Sequence, residues 1–227
     1  MELVFIRHSE PEWARDGLSV NDPPLTERGH LQAAMLADHL REIELEIDEI
    51  FVSPLIRAVQ TAEPVLAALN LAPTTLPWLA EIAAPNWDGT PAEEVARIFA
   101  DSRDRPIQRQ WDGIPGGETF RDFHDRVTGG LQSLLDRAGA TQISQSPALW
   151  KLEAAERRIA IVAHSGTNAT ALGHLLGIAP VPWEWERFQT RHASITRVEP
   201  MSISDAHAFC LSRLNDVDHL PPELRTR

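Results

Sequence analysis

Leu3-Val4-Phe5-Ile6-Arg7-His8 is the stretch that decides the fold: four apolar residues in a row, then a cation and an imidazole. A helix with one dry face spaces its apolar residues by three and four, and a half-exposed strand alternates. An unbroken run cut off by charge is the pattern of a strand buried on both faces. Such strands lie in sheets covered by helices, and α/β proteins take their ligands at the carboxyl ends of the strands. Arg7 and His8 therefore stand where chemistry is expected.

The same pattern recurs along the chain. Asn21-Asp22-Pro23-Pro24 breaks the backbone, and Thr26, an N-cap residue, precedes Leu31, Ala34, Met35 and Leu40 at helical spacing. Residues 47–52 read as a second strand, and Ser53-Pro54 as cap and first turn of a helix carrying Val59, Ala62, Val65, Leu66 and Leu69. Residues 158–163 form a third buried run, ending at His164-Ser165-Gly166, and residues 169–176 read as a helix stopped by Gly177. The alternation predicts an α/β fold, a three-layer sandwich with a mainly parallel central sheet flanked by helices. Residues 1–227 read as a single domain. Residues 79–125, rich in Pro, Gly and Trp, fit the rhythm poorly and are expected to form an excursion covering the site. The polar stretch 142–147 reads as a surface loop. Pro221-Pro222 and the closing Arg225-Thr226-Arg227 read as a loosely held tail.

Composition removes several classes of function. A formal charge of -12 argues against a nucleic-acid partner or adhesion to an anionic membrane, so any phosphate site must be positive only locally. The single cysteine, Cys210, leaves no internal disulfide, and no paired Cys/His spacing marks a structural zinc site. The four-residue apolar run at the start is too short for a signal segment, and no run approaches the roughly 20 residues that span a bilayer. A cytoplasmic location is expected. The sequence leaves monomer or homodimer open.

Two histidines directly after buried strands, His8 and His164, can converge above one sheet edge though far apart in sequence. A neutral imidazole attacks phosphorus without a separate base, because its ordinary pKa of about 6.5 leaves a lone pair available near neutrality. Phosphoryl transfer also needs fixed cations, for which Arg7 and Arg57 stand at a strand end and in a helix's first turn. The Pro54 helix start adds backbone donors. No metal and no cofactor are expected.

Here the sequence resembles the histidine phosphatase superfamily, the phosphoglycerate mutase-like family. Its Arg-His-Gly signature reads Arg7-His8-Ser9 in this chain. The resemblance continues through Pro24-Leu25-Thr26-Glu27-Arg28-Gly29 with Gln32-Ala33, then 53–63 from Ser53-Pro54 through Arg57 to Glu63, and Ala163-His164-Ser165-Gly166. Leu79-Ala80-Glu81 with Trp87-Asp88-Gly89 looks like the family's acid segment, and Pro115-Gly116-Gly117-Glu118-Thr119 and Asn215-Asp216-Val217-Asp218-His219-Leu220 are similar to further recurrent stretches. The resemblance implies a phosphoglycerate mutase-like fold and His8 as nucleophile. It implies that Arg7, Arg57 and His164 bind the phosphoryl oxygens, with Ser9 and Ser165 beside them, and that Glu81 is the proton donor that later activates water. Two in-line displacements give retention at phosphorus. The substrate implied is a small phosphorylated metabolite.

Ser9 departs from the family glycine, and Ala14 stands where members often carry a phosphate-touching Asn. Glu10, Asp88, Glu93 and Glu94 compete with Glu81 as the acid. Phosphoglycerate mutases carry a basic, aromatic Arg-His-Tyr-Gly-like stretch after the catalytic Glu, whereas here Ile82-Ala83-Ala84-Pro85-Asn86-Trp87 follows. That favours hydrolysis of a larger or more apolar ester, Trp87 being the aromatic placed to meet it. A mutase-type phosphotransferase and a weakly catalytic phosphate-binding module are the alternatives.

Overall fold

A computed structural model describes residues 1–43, 45–144, 146–153 and 156–227. In chain order the elements are β1 (Glu2–Arg7), the short ribbon β2 (Ala14–Arg15) and β3 (Leu18–Ser19), α1 (Glu27–Glu42), β4 (Glu49–Val52), α2 (Ile56–Leu69) and β5 (Pro73–Thr75). There follow α3 (Ala92–Arg103), α4 (Phe120–Arg137), β6 (Ala140–Ile143), β7 (Ser146–Leu152), β8 (Arg158–Ala163), α5 (Ser165–Leu175), α6 (Glu184–Arg187), β9 (Ile195–Ile203) and β10 (Ala206–Asp216). Eight strands make one sheet in the order β5-β4-β8-β1-β9-β10-β7-β6.

β1 lies inside this sheet, parallel to β8 and antiparallel to β9. Its side chains alternate between two cores. Leu3 and Phe5 pack with Ile159, Ile161, Phe123, Leu131 and Leu172, while Val4 and Ile6 pack with Val162, Leu36, Leu40 and Val65. Both faces being dry, the strand needs apolar residues at every position, which is what the opening run supplies. Each such side chain contributes about 1.5–3 kcal/mol by leaving water.

The α/β class and the flanking helices stand as expected, and the sheet is mixed. Parallel order holds across β5-β4-β8-β1, and pairing is antiparallel from β1 through β9, β10, β7 and β6. Link length dictates two of these antiparallel pairings, β6-β7 and β9-β10: Ser204 and Asp205 alone separate β9 from β10, and so short a link can only reverse the chain. Part of the stretch 142–147, expected as a loop, belongs to the β6-β7 hairpin at the sheet edge, where polar side chains meet solvent without leaving the strand.

Two other expectations are corrected. The helix after Ser53-Pro54 begins at Ile56, and its first N–H donates to Asp22 (3.0 and 3.3 Å), so the carboxylate of the Asn-Asp-Pro-Pro break caps it, while the Ser53 hydroxyl accepts the Leu55 N–H (3.3 Å) just ahead of the helix and bonds His164. The closing segment is tied down. The buried Gln32 amide donates to Leu224 O (2.7 Å) and Thr226 Oγ1 (2.9 Å), and the His192 N–H donates to Thr226 O (3.2 Å). Thr26 caps α1 as expected, accepting from the Gly29 N–H at 2.9 Å. Within 79–125, α3 buries none of its residues, while Phe123 in α4 belongs to the core. Among the described residues no helix is long and apolar enough to cross a membrane.

Candidate functional site

Three strands deliver the site. The ladder runs one residue past each strand end: the His8 N–H donates to Ala163 O (2.9 Å) and the Ser53 N–H to Val162 O (3.0 Å). Sheet hydrogen bonds thereby fix the backbones of His8, Ser53 and His164 at one carboxyl edge. The rings of His8 and His164 lie 5.0 Å apart, both essentially buried.

His8 Nδ1 lies 2.8 Å from Ser9 O. A carbonyl only accepts, so Nδ1 carries the proton and the lone pair of the neutral ring is on Nε2. Burial pushes the His8 pKa well below its ordinary value, and His164, Arg57, Arg7 and His192 push it the same way. The ring is neutral at pH 7, as a nucleophile must be. His164 is also held neutral, by burial first and then by Arg57 and Arg7. Its Nε2 shares a 2.7 Å hydrogen bond with Ser53 Oγ, and its Nδ1 is buried without a partner among the described residues.

Arg57 and Arg7 complete the cationic wall. Arg57 is 3% exposed, reaches Asp22 at 3.4 Å and lies under the Trp13 ring at 4.8 Å. Arg7 donates to Thr190 O and, at 3.2 Å, to His192 Nε2. Burial lowers the Arg7 pKa to about 10, with Glu81 opposing and Arg57 adding to the shift, so both guanidiniums stay charged at neutral pH. The Nε of each is buried and has no partner among the described residues.

Glu81 enters from the loop that directly follows Leu79. Its Oε2 accepts the Gly166 N–H (2.8 Å) in the first turn of α5, and its Oε1 accepts the Ile82 N–H (3.0 Å). The loop is stapled from behind by Arg126, which donates to Trp78 O (2.8 Å) and Ala80 O (3.0 Å) and makes a bidentate pair with Glu118 (2.8 and 2.7 Å). Glu118 in turn accepts the Ala83 N–H (3.1 Å). The competing acids point elsewhere. Glu10 pairs with Thr26 and Arg28, Asp88 accepts the Asn21 N–H, and Glu93 and Glu94 lie in the exposed first turn of α3.

Ser9 is fully buried and its backbone is outside the left-handed region, so the departure from glycine costs no strain. Its N–H donates to Thr61 Oγ1 (2.8 Å), and its hydroxyl is another buried atom without a partner. Ser165 opens α5, partly exposed. Ala14 lies exposed in the β2-β3 ribbon, directly after the Trp13 that stacks on Arg57. The Thr26-to-Gly29 motif braces the loop behind the nucleophile. A Cβ on Gly29 would fall 2.2 Å from Glu10 O, and Gln32 accepts the Glu10 N–H at 2.8 Å. Sequence reasoning missed His192 and Arg126. His192 stands in a loop, its ring 5.6 Å from that of His8, and Arg126 sits mid-helix, so neither carries a strand-end signal.

At this level the molecule is an α/β protein, a mixed sheet flanked by helices, with a buried cluster of arginines and histidines at the carboxyl edge of its parallel strands. Comparison with known proteins narrows the class. Residues 3–206 match the sequence profile of the histidine phosphatase superfamily (branch 1), and the chain belongs to that family. Phosphoserine phosphatase 1 of Hydrogenobacter thermophilus is 34% identical over 110 residues, 48% of this chain and 51% of the relative. A 2,3-bisphosphoglycerate-dependent phosphoglycerate mutase of Bartonella tribocorum is 37% identical over 70 residues, 30% of this chain and 34% of the relative. The chain thus spans about half or less of the curated relatives it matches. The structure of mycobacterial glucosyl-3-phosphoglycerate phosphatase shares the fold, with a TM-score of 0.68 at 24% identity over 94% of this chain and 98% of that one.

Proposed function

We propose that the chain is a phosphomonoesterase working through a phosphohistidine on His8, with no metal. The observation that carries this is the set of unpaired polar atoms around the nucleophile: Arg7 Nε, Arg57 Nε, His164 Nδ1 and Ser9 Oγ, all buried. Each costs about 1–3 kcal/mol while unsatisfied, so their concentration beside one neutral imidazole describes a pocket for an anion with several acceptor oxygens. Two charged guanidiniums supply the cationic field that phosphoryl transfer needs.

His8 Nε2 attacks phosphorus in line as the ester P–O bond breaks, and the Glu81 carboxyl gives its proton to the departing alcohol oxygen. The carboxylate then takes a proton from water, whose oxygen attacks phosphorus as the P–N bond breaks. Phosphate leaves and Glu81 is again protonated. Arg7, Arg57 and His164 hold the equatorial oxygens through both steps. Residues 1–227 act as one domain, residues 79–125 forming the excursion that covers the site and meets the organic part of a small phosphorylated metabolite. Ile82, and Trp87 packed on Phe99 at 5.3 Å, suit an apolar alcohol better than a compact triply charged acid. That apolar wall favours hydrolysis over the mutase reaction. The free Cys210 and the acidic surface fit a cytoplasmic location with no nucleic-acid partner.

The test is phosphate release from an aryl phosphate across pH 5–8, a window bracketing the ordinary histidine pKa of about 6.5. Turnover is expected to survive EDTA and to vanish in His8→Ala. Isomerisation only in the presence of a phosphorylated primer would point to a mutase, and phosphate-induced thermal stabilisation without turnover to a binding module.

A further inference from the structure

We propose that His192 is a positioning residue for the phosphoryl transfer: its Nε2 fixes the edge of the Arg7 guanidinium, and Thr226 of the closing segment fixes His192.

The hydrogen bonds assign the protonation of both His192 ring nitrogens. A guanidinium only donates, so at the 3.2 Å contact with Arg7 Nη2 the His192 Nε2 accepts. Its Nδ1 therefore carries the proton and donates to Thr226 Oγ1 at 2.9 Å. Thr226 Oγ1 accepts a second bond from Gln32 Nε2 (2.9 Å), and Gln32 Oε1 accepts the N–H of Glu10, two residues after the nucleophile. The relay closes on the loop it started beside. His192 is 2% exposed, and burial with the Arg7 charge lowers its pKa to about 3, which keeps Nε2 free to accept at any working pH.

The backbone is bent to place this ring. Ala193 has φ 55, a left-handed conformation that an alanine adopts only under constraint, and its N–H donates to His8 O at 3.2 Å. Asn215, itself at φ 57, accepts the Arg191 N–H at 2.6 Å and donates its own N–H to Thr196 Oγ1 at 3.2 Å. The Asn215-to-Leu220 motif thus acquires work: it holds the loop that carries His192. With Nη1 on Thr190 O and Nη2 on His192, the Arg7 guanidinium is held by both terminal nitrogens, while its Nε, buried and with no partner among the described residues, is a donor free for a phosphoryl oxygen.

The role rests on the phosphatase reading above, and wild-type turnover decides that reading separately. The variants are His192→Leu, His192→Gln, Thr226→Val and Thr226→Ser. Each is measured for kcat, KM and inhibition by phosphate and by vanadate, whose five-coordinate adducts imitate the transition state. Removing the acceptor in His192→Leu is expected to lower kcat roughly 10- to 100-fold with KM changed less than about threefold, and to weaken vanadate far more than phosphate. The Gln carbonyl accepts in place of Nε2, so His192→Gln is expected to recover to within about fivefold of wild type. Thr226→Val is expected to lose about three- to fivefold and Thr226→Ser to restore it. Wild-type kcat in His192→Leu, equal weakening of vanadate and phosphate, or a Gln variant as poor as Leu would each overturn the positioning role. Both affinities are read without turnover, so an inactive wild type that binds the two anions overturns the phosphatase reading while the variants still decide the role of His192. A wild type that binds neither overturns both.

Discussion

Replacing Gly166 by alanine displaces the proposed proton donor and leaves the fold almost untouched. An added Cβ falls 2.5 Å from Glu81 Oε1, 3.1 Å from its carboxyl carbon and 3.2 Å from Oε2. Carbon and oxygen rest at roughly 3.3–3.6 Å, so the carboxylate must retreat by about 1 Å and abandon its 2.8 Å bond from the Gly166 N–H. A misplacement of about 1 Å costs on the order of 100-fold in rate. A lost hydrogen bond to a charged group, about 1.5–3 kcal/mol, converts to one or two decades at about 1.36 kcal/mol each. Both routes give a 10- to 100-fold fall, at or below the lower end of the roughly 10²–10⁴-fold that a general acid supplies, as suits a donor displaced and not removed. Stability moves little, because the clash is with the end of a flexible side chain and alanine gains about 0.5–1 kcal/mol over glycine inside a helix. The assay is single-turnover phosphorylation with esters of graded leaving-group acidity. An alkyl phosphate, which needs the proton, should show the whole loss, and a nitrophenyl phosphate, which does not, should show little. Equal losses for both esters, or a loss tracking unfolding, would refute this account of Glu81.

Two further perturbations follow from the same geometry. Arg126→Met frees the back of the Glu81 loop and leaves Glu118 unpaired in a partly buried place. It should cost about 1–3 kcal/mol in urea unfolding and roughly tenfold in kcat with little change in KM. His8, His164 and His192 are buried neutral, with folded pKa values below the unfolded value of about 6.5. The unfolded chain therefore binds more protons in acid, and stability is full above about pH 6.5 and falls as pH drops below it, by up to about 1.4 kcal/mol per pH unit for each ring. Urea titrations at pH 5 and 7.5 should show this loss, smaller by one ring's share in His192→Gln.

The legible part of the molecule is the part where one physical demand fixes several neighbouring residues. Two dry faces demand the Leu3-to-Ile6 run, a strand end above them places Arg7 and His8, and the same reasoning places His164. The cap at Ser53 was misread because Asp22, distant in sequence, satisfies the helix start better and frees the serine for His164. The closing segment reads as loose from its prolines and charges, yet its anchor is one buried side chain, Gln32, whose partners lie 192 and 194 residues away. Arg126 was silent for a similar reason: an arginine on a helix is ordinary until the loop it staples is known. Family resemblance supplied Glu81, whose place on the first turn of α5 has no local signature.

β1 precedes every other strand of its sheet in the chain and is among the last of them to be enclosed. Its neighbours are residues 158–163 on one side and 195–198 on the other, so no early segment can satisfy either edge. A nascent or truncated chain that stops short of β9 leaves one edge of a bare Leu-Val-Phe-Ile strand able to pair with any other extended chain. Closure must await contacts more than 150 residues apart, which makes folding slow and dependent on topology. The strand that makes the pocket possible is thus also the chain's exposure to misassembly, and the interval between synthesis of residues 7 and 198 is when a chaperone would matter to it.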